Sequence, residues 1–154
     1  MRKVGMILGS AVAIVLIASL VSAAGQKHVT SPTTVHVIEH ATTDAVIDTG
    51  APGDTSGDLL TWHNRIYDAT DTRRVGHDQG DCIRINPGSG SWECRWITWV
   101  PGGSITVEGA FYDTRNSVLP ITGGTDLFKD ARGTMTLISR NGGAEYDFIF
   151  HLIP

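Results

Sequence analysis

From Thr34 to the C-terminus the apolar residues of this chain recur at every second position, in runs of about five to ten residues broken by Gly, Pro, Asp and Asn. Such a period belongs to antiparallel strands with one face buried, and no segment shows a convincing helical period. The runs predict strands over 34–40, 43–48, 58–67, 73–85, 91–100, 104–112, 116–121, 132–140 and 144–152, with 49–57 as the plainest loop. So many short strands in one small domain leave edges open to aggregation, and closing the sheet on itself removes them. The expected fold is therefore all-β, an eight-stranded antiparallel β-barrel with an interior cavity. A two-sheet sandwich is the other arrangement that the pattern alone allows. An eight-stranded barrel is about the size at which side chains fill the interior or one small ligand occupies it.

The first 24 residues read differently. Arg2 and Lys3 precede an apolar stretch from Val4 to Val21, and Val21-Ser-Ala23 is the small-residue pattern a signal peptidase cuts after. The expectation is a secretory signal over 1–24, a flexible lead-in over 25–33 and one barrel domain over 34–154. An uncleaved membrane anchor is the rival reading of the apolar stretch. Cleavage leaves 130 residues and moves the formal charge from −4 to −6, since Arg2 and Lys3 leave with the signal. That balance leaves no basic patch for phosphates, so nucleic acid is not an expected partner. A secreted, extracytoplasmic location also suits the two cysteines, Cys82 and Cys94, because oxidation is permitted there.

Parity assigns faces to the candidate residues. Glu39 shares a face with Val35 and Val37, where desolvation would raise a carboxyl's pKa and suit it to proton transfer; the alternative is an exposed strand end. Asn64 stands in the apolar row Leu60, Trp62 and Ile66, so its amide must be satisfied by the barrel itself or by a polar ligand group. His63 falls on the opposite, polar face. Phe111 joins Ile105, Val107 and Gly109 toward the cavity, leaving Tyr112 for a rim. Trp92 and Trp96 share parity with Cys94, as core or as a platform for a flat guest, while Trp99 faces away.

The turn residues Asn86-Pro-Gly-Ser-Gly90 make the flanking runs pair antiparallel, and with Gly88 at the apex Cys82 lies opposite Cys94. A disulfide between them is one expectation, and a free, cavity-facing Cys82 the other. The chain has no Gly-x-Ser-x-Gly elbow, no phosphate-binding glycine loop and no His-x-x-x-His or Cys-x-x-Cys spacing, so neither a metal nor a cofactor is expected.

Two stretches resemble a known family. Gly57-Asp-Leu-Leu-Thr-Trp-His-Asn-Arg-Ile-Tyr67, followed by Arg73-Arg-Val-Gly76 and Gly80-Asp-Cys82, resembles the allene oxide cyclases, as does Val107 to Gly124. Gly123-Gly-Thr-Asp-Leu-Phe-Lys-Asp-Ala-Arg-Gly133 resembles the dirigent proteins. The resemblance implies an eight-stranded barrel, often trimeric, whose apolar cavity steers ring closure of an unstable fatty-acid epoxide or, on the dirigent side, coupling of phenoxy radicals. It places the cavity glutamate on Glu39, the barrel asparagine on Asn64 and the cavity cysteine on Cys82. The cyclases' tyrosine is Phe111 here and a further asparagine is Ala41, which removes polar contacts for an epoxide oxygen. In the dirigent-like stretch Gly123, Gly124 and Gly133 suit a tight turn, Phe128 a plug at the barrel end, and Arg132 a tie for the loop.

Together these readings predict an exported barrel that binds a small hydrophobic or phenolic molecule and steers its cyclisation, isomerisation or coupling. Glu39 and Asn64 are the expected catalytic residues, and Trp62, Cys82, Trp96, Phe111 and Tyr112 the expected ligand contacts. A non-catalytic carrier of a hydrophobic ligand and a structural secreted barrel are the alternatives.

Overall fold

The computed structural model describes residues 29–154. The expected signal over 1–24 and the first part of the lead-in lie outside the described residues. Nine antiparallel strands follow in order: β1 Thr33–His40, β2 Ala45–Ile47, β3 Leu59–Asp68, β4 Arg74–Asn86, β5 Ser91–Val100, β6 Gly103–Tyr112, β7 Ser117–Gly124, β8 Arg132–Arg140 and β9 Glu145–Ile153. Each strand pairs with its sequence neighbour from β3 through β9, and β1 pairs with both β9 and β3. That double pairing closes an eight-stranded barrel and excludes the sandwich. The three residues of β2 extend one edge of β3, continuing the line of β1 after a break at 41–44.

Interior and exterior alternate as the sequence period requires. Val107, Leu119, Met135, Phe148, Phe150 and Leu152 are almost fully buried and fill the barrel's middle and lower part. We call the end where β1 finishes and β9 begins the upper end. The lower end is closed by a short 3-10 turn, Asp126–Phe128, whose Phe128 is buried. Leu127 of that turn receives the backbone N–H of Val29 at 3.1 Å, which pins the start of the described chain across the lower end.

The dirigent-like stretch supplies this plug, with two differences from the expected roles. Gly123 and Gly124 do not make a turn: they finish β7, opposite Thr106 and Ile105 of β6. Gly124 is required by close approach, since a Cβ there would stand 2.4 Å from the Ser104 carbonyl oxygen and 2.5 Å from that of Phe128. Gly133 lies inside β8 opposite Leu152, and the exposed Arg132 reaches the Pro154 carbonyl at 3.4 Å rather than the plug loop.

The β4–β5 connection follows its turn chemistry. Pro87 opens a 3-10 turn, the Asn86 side chain accepts the Ser89 N–H, and Gly90 closes it in the left-handed region at φ 63°. The resulting register sets Cys82 opposite Cys94 with Cα atoms 4.0 Å apart, and the two form a disulfide.

Candidate functional site

A cavity of about 50 Å³, open at its mouth, lies inside the upper half of the barrel. Its wall is apolar, formed by Leu60, Trp62, Trp96, Phe111, Leu137, Phe148 and the Cys82–Cys94 bridge, and its polar lining is Glu39, Asp44 and Tyr146. Engineered cavities that take up benzene measure roughly 150 Å³. This one admits a functional group, while a larger guest keeps its body at the mouth beside the exposed Asp44. Wider hollows exist on the outer surface, including one of about 490 Å³ that His63, Gln79 and Ile97 help to line, but none of them touches Glu39.

Gly80 sets the spacing of the wall. A Cβ at this position would lie 2.4 Å from the Trp96 Cβ and 2.6 Å from Cζ2 of Trp62, so the two indoles close over a residue with no side chain. Their rings meet edge to face at 5.8 Å. Gly80→Ala should therefore splay the wall and cost about 2 kcal/mol, as overpacking does. Urea unfolding measures that loss, and an unchanged midpoint would contradict the packing described.

Asn64 organises the acid group. It faces the break between β1 and β2, where its Oδ1 accepts the N–H groups of Thr42 and Thr43 at 3.0 and 2.9 Å and the Thr43 hydroxyl at 3.0 Å. Its Nδ2 donates to Glu39 Oε1 at 2.9 Å and to Asp44 Oδ1 at 2.7 Å. Both ends of the amide are thus engaged by the barrel. Asn64 stands behind Glu39 and does not line the cavity.

Glu39 is 5% exposed and Asp78 fully buried, and the two carboxyls are within hydrogen-bonding reach of one another. Asp78 sits on β4 opposite both Asn64 and Thr98, and its Oδ2 accepts the Trp62 indole N–H at 2.9 Å. Its Oδ1 has no donor. Burial, and then the neighbouring Asp78 charge, hold Glu39 well above the ordinary carboxyl range, against the lowering pull of Asn64. Burial likewise pushes Asp78 up to about 6, against the hydrogen bonds from Trp62 and Glu39. Two buried carboxyls in such contact share one proton, because both cannot carry charge side by side.

Tyr146 lies opposite Glu39 in the β1–β9 register and is half-buried. Burial, with the charges of Glu39, Asp44 and Asp113, pushes its phenol up to about 12, so the hydroxyl keeps its proton and serves as a donor. Among the described residues that hydroxyl has no hydrogen-bond partner. Its ring meets Phe111 edge to face at 6.1 Å.

Of the residues singled out by sequence, Glu39, Trp62, Cys82, Trp96 and Phe111 come together around the cavity. Tyr112 does not; it lies under the Arg115 guanidinium, 3.7 Å from its ring centroid. Trp92 is buried above the cavity, where its N–H donates to Asp113 at 2.9 Å and Arg84 covers its ring at 4.0 Å. Asp78, Asp44 and Tyr146 were not singled out. Parity held the signal for two of them, since Asp78 shares a row with Cys82, and Tyr146 with Phe148 and Phe150. A separate trio, His40, Asp71 and Glu145, brings its ligand atoms within 4.8 Å of one another. His40 already pairs with Asp71 at 2.7 Å, and Glu145 accepts from Asn141 at 2.8 Å.

The closed barrel is a fold shared with solved structures of a demethylase, a dirigent protein and a Diels-Alderase. A pyocyanin demethylase shares it with a TM-score of 0.66 at 22% identity, over 77% of this chain and 100% of that one. A pterocarpan synthase dirigent protein gives 0.63 at 16%, over 81% and 97%. An exo-specific intermolecular Diels-Alderase gives 0.63 at 14%, over 79% and 98%. No family model and no curated protein matches the sequence.

Proposed function

We propose that this protein binds one small apolar or aromatic molecule at the upper cavity and steers its cyclisation, isomerisation or coupling, with Glu39 as the proton-handling group. The observation that carries this reading is the Glu39 carboxyl, buried in the wall of a mostly apolar pocket and held well above the ordinary carboxyl range by that burial. Such a site holds the guest's conformation by shape and offers one proton beside a mostly apolar wall. Similarity of fold to barrels named as a Diels-Alderase and a pterocarpan synthase dirigent protein supports steering of this kind. Asn64, whose hydrogen bonds are all internal, acts as a positioning residue that fixes the Glu39 rotamer. The allene oxide cyclase resemblance supports the same placement of Glu39.

Action outside the cytoplasm belongs to this proposal, supported by the signal-like first 24 residues and the Cys82–Cys94 bridge.

Native mass spectrometry of protein isolated from its producing cells tests the reading. Wild type and Glu39→Gln should retain the same small molecule, and turnover of that molecule should fall about tenfold or more in the variant. A molecule retained and released unchanged by both proteins would make this a carrier and remove Glu39's role.

A further inference from the structure

Three features around the cavity remain unused by a purely shape-based reading. Asp78 is a second carboxyl in contact with Glu39, fully buried, with one oxygen lacking a donor. Tyr146, beside Glu39 on the strand paired with β1, carries a hydroxyl without a hydrogen-bond partner among the described residues. The small cavity beside Glu39 and Tyr146 suits a functional group rather than a ring. A cycloaddition guided by conformation needs none of these, because no proton moves in it. A base and a donor side by side on paired strands, with a second carboxyl behind the base, form the constellation for proton abstraction next to a carbonyl.

We propose that the upper cavity takes the carbonyl end of an enolisable ketone or aldehyde and isomerises it through its enolate, with Tyr146 donating to the carbonyl oxygen, Glu39 taking the α-proton and Asp78 receiving Glu39's own proton. The inference rests on the reading of this cavity as the binding site. In the first step the α C–H bond breaks and its proton forms an O–H bond on Glu39. The C–H electron pair becomes the new C=C bond, and the carbonyl π pair moves onto the oxygen held by the Tyr146 hydroxyl. Glu39 passes its original proton to Asp78 through their shared hydrogen bond, so both carboxyls are neutral while the enolate carries the charge. The reverse transfer delivers a proton to the α-carbon or to a conjugated one further along, and no oxidant or reductant is consumed. The apolar wall keeps water from competing for the enolate. Asn64 holds Glu39 Oε1 and Trp62 holds Asp78 Oδ2, so neither carboxyl has to reorient during the transfer.

The probe is 4-phenylbutan-2-one, whose slim methyl-ketone end matches the small cavity and whose phenyl ring would rest at its mouth. Binding is followed by tryptophan fluorescence, because Trp62 and Trp96 form the wall, and α-proton exchange by proton NMR in D2O. Wild type should accelerate exchange over buffer. Glu39→Gln and Tyr146→Phe should each reduce that acceleration about 100-fold while still binding the ketone. Asp78 acts through Glu39, so its signature is the pH profile: two ionisation steps in wild type and one in Asp78→Asn. If Glu39→Gln fails to fold, Tyr146→Phe decides the matter, since its hydroxyl makes no hydrogen bond within the described residues. Binding without accelerated exchange would overturn this inference and leave a barrel that steers by shape. Exchange undiminished in Glu39→Gln or Tyr146→Phe would overturn it too, and failure to bind the ketone at all would remove it together with the cavity's role as a ligand site.

Discussion

Asn64→Ala should destabilise the barrel by about 4 kcal/mol, because five hydrogen bonds at roughly 0.5–1.5 kcal/mol each converge on one amide. Two of its donors, the Thr42 and Thr43 N–H groups, are near solvent and recover water partners. Glu39 cannot recover one as easily, because it is 5% exposed and would lose its donor inside the wall. The residue also performs a topological task. β1 and β2 lie along the same edge of β3, and the chain between them, 41–44, leaves the ladder. Asn64 closes that gap with its side chain where backbone pairing fails. Urea unfolding should show the loss, and hydrogen exchange should show it concentrated at Thr42 and Thr43. A cost under about 1 kcal/mol would mean that water replaces the amide readily and that Asn64 is not the organiser of this edge.

The contrast between Asn64 and Asp78 shows what parity can and cannot read. Asn64 was legible because Leu60, Trp62 and Ile66 surround it at the same parity, so a lone polar residue stood out. On β4 the pattern is inverted. The inward row is Gly76, Asp78, Gly80, Cys82 and Arg84, while Ile83 and Ile85 face out, 45% and 54% exposed. Hydrophobic alternation there points the wrong way, since the row is shaped by tryptophans crossing from β3 and β5 and by the ion pairs of Arg84 with Asp54 and Asp113. Only the position of Cys82 betrays it. Strand positions were readable almost everywhere because turns and period two are local properties. Which oxygen meets which donor depends on closure of β1 against β3, a contact between segments far apart in sequence that no local period encodes.

The dirigent-like stretch shows the same limit from another side. Its Phe128 plug was legible as a motif, but the motif's glycines were read as turn residues although they end a strand. Phe128 packs back over β7 so closely that Gly124 must lack a side chain. A glycine demanded by tertiary contact and one demanded by a turn look identical in one sequence.

Asp78→Asn should stabilise the protein by about 3 kcal/mol above pH 6 and by nothing below about pH 4. Burial raises the folded-state pKa of Asp78 from 3.8 to about 6. Between those values the folded state binds a proton that the unfolded state has released, so the group's contribution turns unfavourable as pH rises across this window. About two pKa units correspond to roughly 3 kcal/mol at 1.36 kcal/mol per unit. Asparagine keeps an oxygen to accept the Trp62 N–H and brings an N–H₂ that can donate to Glu39, so the hydrogen bonds survive while the buried charge does not. The difference in melting temperature between variant and wild type should therefore be absent at pH 4 and grow to a plateau by pH 7. A difference that is flat with pH would show that Asp78 carries no raised pKa in the folded barrel. A stabilised Asp78→Asn that has lost its second ionisation step would mean that the wild-type barrel retains a destabilising charge where the proposed proton transfer needs it.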